Sequence, residues 1–261
     1  MQTTLSLLDG IATLTLNRPE VHNAFDDRLI AELTERFLNL GGDPQVRVVV
    51  LAANGPSFSA GGDLAWMKRI AANSEEENLR DAMALARLME VIDSCPKPVL
   101  GLVQGPAYGG GVGLAVCCDI VIAAAKATFC LSEVKLGLIP ATIMPYVLRA
   151  IGHRAARRYV LSAERFDAAE AQRLGLVHEV VEEDALWRRA EDIIAALKAG
   201  GPAAQAAAKE MLHQAWDRPG GEETMAWTAR RIAEIRASSE GQEGLAAFLE
   251  KRKPAWLDGG A

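Results

Sequence analysis

The sequence predicts an α/β fold with a helical tail, and three observations carry that reading. Two runs of almost uninterrupted β-branched and aliphatic residues, 46–52 and 99–103, have the pattern of strands buried on both faces. Each is followed by a glycine-rich turn, Phe58-Ser59-Ala60-Gly61-Gly62-Asp63-Leu64 and Gly105-Pro106-Ala107-Tyr108-Gly109-Gly110-Gly111, with helical periodicity beyond it. That strand–turn–helix–strand rhythm belongs to crossover connections between strands of one sheet. From Ala168 onward helical patterns dominate.

Taken in order, residues 3–8 and 11–16 alternate around Asp9-Gly10 and predict a β-hairpin. Asn17-Arg18-Pro19-Glu20 ends its second strand, because proline removes a ladder donor. Leu29, Ile30, Leu33, Phe37 and Leu40 recur at helical spacing up to Gly41-Gly42. After the strand at 46–52 and the first glycine turn, residues 75–92 predict a long helix with Leu79, Met83, Leu85, Leu88 and Met89 apolar. Cys95-Pro96-Lys97-Pro98 closes it, the strand at 99–103 follows, and residues 111–118 and 120–123 predict a helix and a strand. Helices are expected over 168–174, 184–199, 202–216, 222–237 and 242–251, with a last strand at 177–181. Gly200-Gly201-Pro202 divides a core of residues 1–199 from a helical region of residues 200–261.

The 261 residues suffice for a large core, and a composition of 50% apolar and 24% charged residues is that of an ordinary globular chain. A formal net charge of −6 offers no general attraction to nucleic acid or anionic lipid, so neither is expected as a partner. The N-terminus lacks a basic, apolar leader, and no run of about 18 apolar residues occurs, so no membrane span is expected. Cys95, Cys117, Cys118 and Cys130 form no C-x-x-C pair and read as small buried thiols of a cytoplasmic protein. His22, His153, His178 and His213 lack ligand spacing, and no metal is expected.

The chemistry concentrates in the two glycine turns and one carboxylate. Glycine lets a backbone approach a ligand closely, and a residue at a helix start keeps its N–H free. Two such turns, each aiming one N–H at the same oxygen, make an oxyanion hole. Glu133 follows shortly after, among Phe129, Leu131, Val134 and Leu136, where desolvation would raise its pKa toward the working range of a proton-transfer group, about 6–7. Either turn alone reads equally well as an ordinary turn, and a surface glutamate is the lesser alternative for Glu133. Together they are the parts needed to stabilise an enolate.

These residues resemble the enoyl-CoA hydratase/isomerase (crotonase) superfamily over nearly the whole chain. The matching stretches are Leu16-Asn17-Arg18-Pro19 with Asn23-Ala24-Phe25, the first glycine turn, Gly109-Gly110-Gly111 with Cys118-Asp119-Ile120, and Gly137-Leu138-Ile139-Pro140. Asp63-Leu64-Ala65-Trp66-Met67 and residues 127–134 are most similar to the methylglutaconyl-CoA hydratase and γ-carboxygeranoyl-CoA hydratase-like group. The resemblance implies a crotonase-like (ClpP/crotonase) spiral of repeated ββα units with a C-terminal helical region that forms a homotrimer or a dimer of trimers. It implies an acyl-CoA thioester as substrate, with no separate cofactor because CoA is part of that substrate.

The resemblance also assigns roles. It places the oxyanion donors on the N–H groups of Gly62 and Gly110, and the acid/base on Glu133. It implies CoA contacts at Val21, His22, Ala24, Ala60, Asp63 and Leu64, with Phe248 and Lys251 reaching CoA in a neighbouring subunit. Ala65 stands where relatives often carry a lysine, and Lys68 or Arg69 would be its substitute. Trp66, Met67 and Met144 are candidate walls of an acyl pocket. Gly113 is the departure, because two-glutamate hydratases carry their first glutamate there. With Glu133 as the single carboxylate, the expected reaction is hydration of C2=C3 in a branched or 3-methylglutaconyl-type thioester. Double-bond isomerisation and a binding role with little turnover are the alternatives. The missing side chain at Gly113 is expected to leave room for a bulky acyl group.

Overall fold

The computed structural model describes residues 1–257. The chain opens with an antiparallel hairpin of β1 (Thr3–Leu8) and β2 (Ile11–Leu16), turned through Asp9 and Gly10 at positive φ. That turn matches the right-handed twist of the strands it joins. Helix α1 (Asp27–Gly42) starts at Asp26, whose carboxylate accepts from Leu29 N, and buries the expected stripe from Leu29 to Leu40. There follow β3 (Val48–Ala53), short α2 (Leu64–Ile70), α3 (Glu75–Asp93), β4 (Val99–Val103) and β5 (Ala107–Tyr108). Next come α4 (Gly110–Val116), β6 (Ile120–Ala124), β7 (Thr128–Cys130), α5 (Met144–Ser162), β8 (Phe166–Asp167), α6 (Ala168–Leu174), β9 (Glu179–Val181) and α7 (Leu186–Ala199). The tail is α8 (Pro202–Ala215), α9 (Glu222–Ala237) and α10 (Ser239–Leu249).

A six-stranded sheet in the order β1-β2-β3-β4-β6-β9 is parallel from β2 onward. A second sheet holds β5, β7 and β8, and parallel bridges Ser59–Ala107 and Phe25–Gly62 lie outside the named strands. Each turn of the chain therefore gives a strand to the large sheet, then a short strand or bridge beside it, then a helix. The successive turns are β2 with Phe25, β3 with residues 59–62, β4 with β5, and β6 with β7. The expected spiral of ββα units is borne out. Both glycine turns sit at the step from the large sheet to the second row, which brings them side by side.

Strand β3, Val48–Ala53, is apolar throughout because both its faces are covered. Val49 and Leu51 join a core with Leu14, Phe37 and Met89, while Val48, Val50 and Ala52 pack with Leu100, Ile122 and the α7 residues Leu186, Ala190 and Ile194.

Two elements differ from the sequence pattern. The sequence marks no element over 144–162, where α5 runs, interrupted only by Gly152 at φ +70. Arg149, His153, Arg154, Arg157 and Arg158 break up its apolar stripe in the sequence. The last helix starts three residues before the expected 242, capped by Ser238, whose hydroxyl accepts from Gly241 N. The tail docks through polar contacts. Lys209 Nζ donates to Asp119 at 2.6 Å and Arg47 donates to the Gly200 carbonyl at 2.7 Å, while within the tail the Glu240 carboxylate accepts from Ala203 N and Ala204 N at the start of α8. Among the described residues no helix is long and apolar enough to cross a membrane.

Candidate active site

The first turn is fixed from below by Asn23, a fully buried residue at φ +53. Its side-chain amide donates to the Asn54 and Ser57 carbonyls, at 2.8 and 2.9 Å, and its own carbonyl accepts from Ser59 Oγ at 2.9 Å. Phe25 then clamps the residues on either side of Gly62: Phe25 N donates to Gly61 O at 2.8 Å, and Asp63 N donates to Phe25 O at 3.0 Å. Gly62 N–H is left without an acceptor among the described residues. Gly61 has to be glycine, because its φ is +85 and a Cβ there would stand 2.9 Å from the Tyr108 carbonyl oxygen. That close approach joins the first turn to the second.

In the second turn Gly109, at φ +52, donates to the Cys130 carbonyl at 2.8 Å, which ties the turn to β7. Gly110 begins α4, so its N–H has no intrahelical partner, and it too lacks an acceptor among the described residues. The Phe25 ring packs directly on Gly110, with Cζ 2.2 Å from where a Cβ would be. Phe25 thus rests on one donor glycine and clamps the flanks of the other.

Glu133 starts the 3-10 turn Glu133–Leu136. Its Oε1 lies 3.1 Å from where a Cβ on Gly109 would sit, over the second turn. Its Oε2 is buried with no hydrogen-bond partner. Desolvation pushes the Glu133 carboxyl up from its ordinary value, as expected for a proton-transfer group. Phe129 and Leu131 are fully buried beside it in sequence, but Leu136 faces solvent at 60% exposure, correcting the expectation that it encloses the carboxylate.

The remaining predicted residues divide. Trp66 and Met67 lie against Gly62, 3.4 and 3.5 Å from its would-be Cβ, and so stand next to the donor. Met144 instead lines a groove with Leu148, His153, Ala156 and Arg157 on α5. Val21, His22, Ala24 and Ala60 come together, since Ala60 N donates to the His22 carbonyl at 2.9 Å and His22 Nδ1 lies 3.0 Å from Ser57 Oγ. The Asp63 side chain is already engaged: it caps α2 through Ala65 N and Trp66 N and pairs with Arg18 at 3.1 Å, leaving its backbone for any ligand. Leu64 and Phe248 are exposed, and Lys251 follows α10 at φ +55. Arg69 pairs with Asp27, and Lys68 is exposed.

The room expected at Gly113 is absent. A Cβ there would stand 2.3 Å from Ile143 Cγ2 and 3.1 Å from Met89 Sδ, so the position is filled from outside the helix. Sequence reading missed Ile143, because the segment it belongs to showed no periodicity, and missed Asn23 as the hub of the first turn, because a buried polar residue leaves no pattern.

Two free N–H groups on adjoining glycine turns and a partly buried carboxylate over the second of them are the parts of an enolate site. Residues 7–259 match the enoyl-CoA hydratase/isomerase family. The chain belongs to that family. A crystal structure of an enoyl-CoA hydratase from Shewanella pealeana is 48% identical with a TM-score of 0.96, covering 98% of this chain and 96% of that one. A crotonyl-CoA hydratase from Syntrophomonas wolfei is 34% identical over 95% of each chain. A carnitinyl-CoA dehydratase from Citrobacter koseri is 33% identical over 94% of each. As a member of the enoyl-CoA hydratase/isomerase family, the chain is an enzyme with the crotonase fold.

Proposed function

We propose that this enzyme adds water across C2=C3 of an enoyl-CoA thioester with Glu133 as its single acid/base. The observation that carries the reading is the meeting of two unused N–H donors, on Gly62 and Gly110, with a buried carboxylate oxygen of Glu133 that has no partner. The ionised Glu133 takes a proton from water as the water oxygen bonds to C3. The C2=C3 electron pair moves onto the thioester oxygen, where both N–H groups hold the enolate. The enolate then collapses and C2 takes the proton back from Glu133, which regenerates the carboxylate. Each donor of this kind is worth about 2.7–4 kcal/mol in the transition state.

The CoA moiety would lie along Val21, His22, Ala24, Ala60 and Leu64 and the Asp63 backbone, with Phe248 and Lys251 supplied by a neighbouring copy in a trimer or hexamer. A branched, 3-methylglutaconyl-type acyl group is supported by the resemblance of stretches such as 63–67 and 127–134, and the filled space at Gly113 no longer favours it. One observation favours a second reading. With Ile143 over Gly113 the site has one carboxylate, which suffices to carry a proton between C2 and C4 and so to shift a double bond.

Incubation of 3-methylglutaconyl-CoA, crotonyl-CoA and a cis-3-enoyl-CoA in ¹⁸O-labelled water, followed by mass-resolved chromatography, separates the two. Labelled 3-hydroxyacyl product from either 2-enoyl substrate is the expected result. A shifted double bond in the third, with no gain of label in any of them, would make the enzyme an isomerase.

A further inference from the structure

We infer that Ile143 is the specificity-determining residue that limits this site to one carboxylate. The inference rests on the reading of Glu133 as the acid/base and adds what closes the other position. Gly113 lies in α4, where its N–H reaches back to the Gly109 carbonyl, so it stands one turn beyond the donor Gly110. Its missing side chain has not left a void. Ile143 Cγ2 lies 2.3 Å, and Ile143 Cβ and Met89 Sδ each 3.1 Å, from the point a Cβ would occupy, and both side chains are essentially inaccessible to solvent.

Ile143 and Glu133 belong to one segment. Glu133 opens the 3-10 turn at its start, and Ile143 ends the turn Ala141–Ile143 that leads into α5. The same stretch of chain delivers the base over Gly109 and inserts an apolar side chain against Gly113. Interiors are close-packed, so any side chain at 113 would force the Ile143 γ-methyl group, 2.3 Å from its Cβ, to shift. A second acid is therefore disfavoured while Ile143 keeps its place, and proton traffic is left to Glu133.

The test uses paired substitutions. In a helix interior Gly→Ala ordinarily stabilises, because alanine loses less backbone freedom on folding. Here Gly113→Ala is expected to lower Tm by about 5 °C, and the same substitution in an Ile143→Ala background is expected to leave Tm unchanged or raise it. In the second arm Gly113→Glu is compared with Gly113→Glu/Ile143→Ala on crotonyl-CoA. The double variant is expected to hydrate at least about ten times faster in kcat than the single, with KM little changed and a second ionisation in its pH profile. The inference is overturned if Gly113→Ala is harmless in the native background, if the double variant is no more active than the single, or if its pH profile keeps one ionisation. Failure of the hydratase reading would show differently, as no labelled product from the unaltered enzyme, with the Tm coupling intact.

Discussion

Burial raises the Glu133 carboxyl above its ordinary value of 4.5, and the sign of that shift has two consequences. As a base it must be ionised, so kcat/KM should fall on the acid side with a midpoint displaced above 4.5, which a pH–rate profile measures directly. The folded state also keeps a proton that the unfolded chain has already released. Stability therefore declines as pH rises from the unfolded carboxyl's value to the folded one, and stays lower above that window. Glu133→Gln removes this penalty and should raise Tm at pH 7 by about 1–3 °C. The gain should vanish at a pH below the ordinary carboxyl value; a variant that melts lower than the parent at pH 7 contradicts the account. Gly110 tests the other side of the site. A Cβ there meets the Phe25 ring, so Gly110→Ala should destabilise by about 1–3 kcal/mol, read by urea unfolding.

At the level of elements, Asp119 shows how a motif can be legible while its purpose is hidden. The stretch Cys118-Asp119-Ile120 pointed to the family, but no pattern says that the Asp119 carboxylate accepts from Val99 N at 2.7 Å and from Lys209 Nζ at 2.6 Å. It thereby joins the start of β4, the residue before β6 and helix α8. Burial pushes the Asp119 carboxyl up, and Lys209 opposes that shift. Lys209→Met should leave the half-exposed Asp119 carboxylate without its cation and cost about 1 kcal/mol in urea unfolding. The same distinction separates what the sequence makes readable from what it hides. Strands β3 and β4 were legible because burial on both faces leaves a nearly unbroken apolar run, and helix α1 because burial on one face leaves a period. Helix α5 was not, because its arginines interrupt the stripe, and with it went Ile143. The donor glycines and Glu133 were legible because backbone turns and a carboxylate amid apolar residues have composition signals. The filling of Gly113 was not, since it depends on a residue thirty positions away.

Over the whole molecule, the tail leaves large apolar side chains uncovered in a single chain. Leu212, Trp216, Met225, Ile232 and Phe248 are all about half exposed or more, and α9 buries no residue. Light scattering should accordingly find particles of three or six chains, and a monomer at micromolar concentration would contradict an assembled tail. The central claim remains that one carboxylate carries the chemistry of this whole scaffold. It is tested most directly by the turnover of Glu133→Gln on whichever enoyl-CoA the parent enzyme converts, measured beside acyl-CoA affinity. The account predicts a loss of at least about a thousandfold in kcat, within the range expected when a positioned acid/base is removed, with affinity within about threefold of the parent because both N–H donors remain. A variant that keeps more than a tenth of parental turnover would contradict it.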